Sequence, residues 1–71
     1  MNKESLRVRF GRRLREIRVE QGISQEKLAE KSGVLRTTIS RIETGRYNAS
    51  IDIVDKITSA MCVTFEMKKS D

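Results

Sequence analysis

One stretch of this chain has side chains suited to gripping a polyanion: Arg36, Thr37, Ser40, Arg41, Thr44 and Arg46. At about 100° per residue, Arg36, Ser40, Thr44, Thr37 and Arg41 fill one arc of about 140° on a helix. Leu35, Ile39 and Ile42 cluster on the other side, so one face is aliphatic and the other holds Arg, Thr and Ser without an acid. A merely solvated face mixes charge signs and favours Lys and Glu. Short hydroxyl side chains flanked by guanidiniums suit a helix that enters a major groove and reads base edges there.

Other chemistry is poorly supplied. There is no His, which removes mechanisms that need an imidazole base, Ser-His-Asp and Cys-His catalysis among them. Cys62 is the only cysteine, so neither an internal disulfide nor a structural zinc site can form; no metal or cofactor is expected. With Phe10, Tyr47 and Phe65 as the only aromatics, a stacking platform for single-stranded nucleic acid is thin. The composition argues against an enzyme.

The charge excess is localised. The 71 residues carry a net charge of +5, with seven basic against three acidic residues in 1–20 and five against three in 21–50. In 51–71 the balance reverses, three against four, which places a polyanionic partner on the first fifty residues. The length fits one domain over 1–71. No apolar run approaches the roughly 18 residues of a membrane span and no signal peptide is visible, so a cytoplasmic setting is expected.

The periodicity that must position these residues is helical. Leu6, Phe10, Leu14 and Ile17 recur at steps of four, four and three, an amphipathic helix that Gln21-Gly22 can end. Val8 and Val19 lie almost opposite that stripe and are not explained by it. Ser24 can cap a short second helix that ends near Ser32-Gly33, and a third runs from Leu35 or Arg36 to Glu43-Thr44 before Gly45. Ser50 can cap a fourth, with Asp52 in its first turn and Ile51, Val54, Ile57 and Met61 on its buried side. Four short helices on short turns make a compact all-α core.

The tail changes rhythm. Val63, Phe65 and Met67 alternate with Thr64, Glu66 and Lys68, a period of two that predicts a short strand within 62–68. A lone strand needs a partner, and the same strand of a second copy, antiparallel about a two-fold axis, supplies one. Val63, Phe65 and Met67 are then dimer contacts; a short fifth helix is the alternative.

The stretch QEKLAEKSGVLRTTISRIET, residues 25–44, resembles the helix-turn-helix of phage repressors and Cro proteins, the XRE-type family. Ala29 meets its need for a small residue where two helices cross, Gly33 its glycine in the turn, and Ile39 and Ile42 its β-branched anchors. The resemblance spans roughly residues 10–61 and implies a lambda-repressor-like domain binding double-stranded DNA as a homodimer on a palindromic operator, with repression the expected effect. It implies base contacts by Arg36, Thr37, Ser40 and Arg41. It also implies phosphate contacts by Gln25, Thr44, Arg46, Arg18 and the backbone around Gly45. Arg18 and Glu43 match a paired Arg and Glu that the family ties between its first and third helices.

One position departs from the pattern: Leu35 stands where the family commonly has a capping Ser, Thr or Asp that also touches phosphate. Arg36 or Thr37 takes over that contact, or the helix starts more loosely. The ending SAMCVTFEMKK is similar to small antitoxin-type repressors, and the wording FGRRLREIR to restriction–modification controllers. The first similarity implies, as an alternative function, an antitoxin whose main role is to neutralise a partner toxin.

Overall fold

A computed structural model describes residues 4–64, which form four α-helices and, among the described residues, no strand. The helices are α1 (Leu6–Glu20), α2 (Gln25–Ser32), α3 (Arg36–Glu43) and α4 (Ile51–Ala60). Three of them open on a serine whose side chain replaces a missing intrahelical acceptor. The hydroxyls of Ser5, Ser24 and Ser50 accept from the N–H groups of Val8, Lys27 and Ile53 at 3.4, 3.0 and 3.2 Å. Helix α3 starts without such a cap, because Leu35 has no side-chain acceptor to offer.

Three helices close in one way. The N–H two residues past the cap returns to the carbonyl five residues back: Ile23 to Arg18 at 3.1 Å, Arg46 to Arg41 at 2.9 Å and Val63 to Thr58 at 3.0 Å. This closure needs a left-handed residue between, and Gly22 (φ 72°), Gly45 (φ 74°) and Cys62 (φ 57°) take that conformation. Cysteine carries a Cβ there, at a cost of about 1–2 kcal/mol relative to the right-handed conformation.

The turn at Cys62 corrects the reading of the tail. Residues 62–64, the described part of the expected strand, contain no extended ladder; they wrap the C-terminus of α4 instead. Val63 packs against the chain's own core. The alternating pattern misled here because an apolar residue after a left-handed cap also closes a helix. The other two expected strand contacts, Phe65 and Met67, lie outside the described residues.

Leu14, Leu28, Val34, Ile39, Ile42, Ile57 and Met61 form the buried core, ringed by partly buried residues that include Phe10, Ile17, Ile53 and Tyr47. Helix α3 packs on α1 and α2, and α2 also packs on α4. The apolar stripes overstate burial at helix starts: Leu6 is 66% exposed and Ile51 86%, and Ile53 turns inward in place of Ile51. Leu35 is exposed as well.

Glycine 11 sits inside α1 for a reason of contact. A Cβ on it would lie 2.0 Å from the carbonyl oxygen of Ile42, so α1 and the end of α3 approach backbone to backbone. Val8, one turn earlier, finds its role at the same junction, its Cγ2 only 2.8 Å from where a Cβ of Gly45 would stand. These contacts fix the depth and tilt of α3 against the body of the molecule.

Candidate nucleic-acid interface

Helix α3 divides as its sequence implies. Ile39 and Ile42 are 0% and 1% exposed, whereas Arg36, Thr37, Arg41 and Thr44 face outward and Ser40 is half-buried. Its approach is set by the turn after α2. There Gly33 adopts φ 77° with its N–H on the Ala29 carbonyl at 2.9 Å, and Ser32 Oγ accepts from the Val34 N–H at 3.1 Å. Val34 then drops into the core. The turn is thereby held at both ends, and α2 and α3 share one rigid corner.

Behind that corner lies a partly buried ion pair. Arg18 donates Nε–H to Glu43 Oε2 at 2.7 Å, Nη2–H to Glu43 Oε1 at 3.0 Å and Nη1–H to the Ile23 carbonyl at 2.8 Å. The side chains are 11% and 3% exposed. The hydrogen bond to Glu43 holds the Arg18 guanidinium above its ordinary pKa, against the opposing effect of burial. All three guanidinium nitrogens are engaged inside the protein. The same carboxylate takes a further bond, from Gln25 Nε2 at 3.0 Å.

The remaining sequence-derived site residues divide by what their donors are doing. Thr44 turns its hydroxyl back on its own helix, 3.1 Å from the carbonyls of Ser40 and Arg41. The N–H groups of Thr44, Gly45 and Arg46 are spent on the carbonyls of Ser40, Ile42 and Arg41, closing α3. In Arg46 the side chain is therefore the available donor. Arg36 pairs across the corner with Glu26 at 3.6 Å, both largely exposed. Such a surface pair contributes about 0–1 kcal/mol and yields readily to a stronger partner.

Sequence reasoning missed four of these features: Glu26 as the partner of Arg36, Gln25 on Glu43, the Ile23 carbonyl on Arg18, and Gly11 as the site of closest approach. Only Gly11 left a signal, since a glycine within a helical pattern costs about 1 kcal/mol against alanine and so invites a search for a packing reason. Among the described residues no group of three or more His, Cys, Asp or Glu could hold a metal, and no helix is long and apolar enough to cross a membrane.

Comparison with known proteins agrees with this geometry. A family profile described as helix-turn-helix matches residues 14–66. Control protein C.BamHI of Bacillus amyloliquefaciens is 43% identical over 60 residues, covering 83% of this chain and 74% of its own length. The restriction–modification controller C.AhdI from Aeromonas hydrophila superposes with a TM-score of 0.80 at 40% identity, over 82% of this chain and 88% of its own. The controller C.Esp1396I, crystallised as a tetramer with its natural 35-base-pair operator, gives a TM-score of 0.81 at 34% identity, over 87% and 82% of the two chains. With four helices in this arrangement and a profile match across most of its length, the chain belongs to the XRE-type helix-turn-helix family.

Proposed function

We propose that this protein is a sequence-specific transcriptional regulator that binds a two-fold-symmetric DNA operator as a homodimer, in the manner of restriction–modification controllers. The observation that carries it is the two-sided α3: Ile39 and Ile42 buried at its back, and Arg36, Thr37 and Arg41 exposed on an arc of the helix that carries no acid of its own, with Glu26 of α2 the surface partner of Arg36. Arg41 and Arg36 are the groups for bidentate contact with guanine, with Thr37 and Ser40 between them. Gln25 and the Arg46 side chain hold the DNA backbone and so set the register. Arg18 is assigned to the pair with Glu43 rather than to phosphate, since it is 11% exposed and each of its three nitrogens already bonds within the protein. Thr44 contacts phosphate only by turning its hydroxyl away from its own helix.

The dimer places two copies of α3 in successive major grooves, about 34 Å apart. A second copy has an apolar surface to cover: Leu6 and Ile51 are exposed beside a groove lined by Phe10, Tyr47 and Val54. Support from outside the molecule comes from relatives that are controllers and regulators, one of them bound to its operator. They lend none to a toxin partner, and the antitoxin alternative is set aside.

Selection of bound duplexes from a random pool tests the reading. The expected product is a palindrome with at least one G in each half-site and half-site centres about one helical turn apart. No enrichment over the input pool refutes DNA recognition; an enriched site without two-fold symmetry refutes the dimer.

A further inference from the structure

The Arg18–Glu43 pair reaches the proposed DNA face through a third side chain. Gln25, the first residue of α2, donates its Nε2–H to Glu43 Oε1, the same oxygen that accepts from Arg18 Nη2. A carboxylate can only accept, so it selects one of the two orientations of the Gln25 amide: nitrogen inward, carbonyl oxygen turned away. The second Nε2 hydrogen and Oε1 have no protein partner among the described residues. Glu43 itself cannot swing, being 3% exposed and clamped at both oxygens by Arg18. The clamp also neutralises it, so the carboxylate sets the amide without repelling a nearby phosphate.

We propose that Glu43 is a positioning residue for DNA binding: it presets the Gln25 side-chain amide so that its free N–H meets a backbone phosphate. The inference rests on the DNA-binding reading above and adds a division of labour to it. Arg18 holds Glu43, Glu43 holds Gln25, and Gln25 alone touches the ligand. A preset amide has its rotamer fixed before the DNA arrives, which removes an ordering cost from the binding step.

The test uses the full chain and two probes, a duplex enriched from the random pool and an unrelated duplex of equal length. Gln25→Met keeps the side-chain length and leaves Arg18 and Glu43 paired; it should weaken binding to both probes about ten-fold or more per protomer, as loss of one hydrogen bond to a charged group does. Glu43→Gln accepts either orientation of the Gln25 amide, so the productive one is held about half the time and binding should weaken by about two-fold per protomer. The double variant should bind no more weakly than the weaker single one, whereas multiplying losses would overturn the coupling. In the wild type, side-chain amide NMR should find one Gln25 proton shifted and slow to exchange, and Glu43→Gln should abolish that difference. If Glu43→Gln does not fold, Gln25→Met and the wild-type amide signal decide the matter. Undiminished affinity of Gln25→Met, or two equivalent Gln25 protons in the wild type, overturns the proposal while the DNA reading stands. Failure of the wild type to enrich any duplex removes both.

Discussion

Replacing Gly11 by alanine puts the close backbone approach of α1 to α3 to the test. The added methyl would stand 2.0 Å from the Ile42 carbonyl oxygen, 3.0 Å from its carbon and 3.2 Å from the carbonyl carbon of Glu43. All three are backbone atoms, so no rotamer relieves the clash, and α1 and α3 must part by roughly 1.5 Å to reach ordinary contact. Alanine recovers about 1 kcal/mol of helix propensity over glycine. Overpacking commonly costs about 1–3 kcal/mol, and a clash with immobile backbone falls at or beyond the upper end. The same parting pulls on Arg18 and Glu43, two turns along α1, whose bonds of 2.7 and 3.0 Å leave little slack. The net expectation is a loss of about 2 kcal/mol, which for a domain of this size lowers Tm by roughly 8–16 °C. Thermal unfolding by circular dichroism measures it, at one protein concentration because the proposed dimerisation would shift Tm. Gly22→Ala is the control: φ is 72° there but no atom lies within 4 Å, so only the backbone penalty of about 1–2 kcal/mol applies. A Gly11→Ala protein that melts at or above the wild-type temperature would show that the helices do not approach this closely.

The other substitutions probe the ends of α3 and the tail. Leu35→Ser gives α3 the cap it lacks and removes a side chain that is 73% exposed, so the urea midpoint should rise by the equivalent of about 1 kcal/mol; a fall would mean that Leu35 anchors the turn. Arg18→Ala leaves Glu43 buried and unpaired and should cost about 3–5 kcal/mol. The double replacement Arg18→Met with Glu43→Leu should regain much of that loss in the same titration, and a double variant less stable than Arg18→Ala refutes the argument. Cys62→Gly relieves a left-handed side chain and should raise stability by up to about 1 kcal/mol; no gain means that the turn tolerates its Cβ. Arg41→Ala should cost about 1–3 kcal/mol on the selected duplex and relax its preference for G. Equal losses on selected and random DNA would make Arg41 a phosphate contact instead.

The sequence made legible what repeats along a helix or is written in a single residue type. The apolar steps from Phe10 to Ile17, the serines before α2 and α4 and the glycines after α1, α2 and α3 place the elements within a residue or two. The opposition of Arg and Ile on α3 was readable for the same reason. What escaped depends on distance between elements. Periodicity marks Leu6 and Ile51 as core because their stripe continues, yet among the described residues both stay exposed, while Val8 and Ile53 of the same first turns pack inward. Cys62 reads as the start of a strand because only the backbone reveals a left-handed cap. The bond from Gln25 to Glu43 spans 18 positions with no local pattern, so a carboxylate that grips α1 and α2 at once looks from sequence like one end of a simple pair.

These particulars divide the proposed recognition helix into two unlike halves. Its C-terminal end is held three ways: by the return of the Arg46 N–H to the Arg41 carbonyl, by the close approach at Gly11, and by Glu43 in its clamp. Its N-terminal end has no side-chain cap, an exposed leucine, and a long surface pair between Arg36 and Glu26. Arg41 is therefore carried on backbone fixed before DNA arrives, while Arg36 must leave Glu26 to reach a base. A donor carried on fixed backbone discriminates more sharply, because a wrong base leaves it unpaired and the helix cannot shift to compensate. An arginine that exchanges an exposed carboxylate for a base edge or a phosphate discriminates less, since either partner satisfies it. Selectivity should accordingly concentrate at the base pairs facing Arg41, with broader tolerance at those facing Arg36 and Thr37.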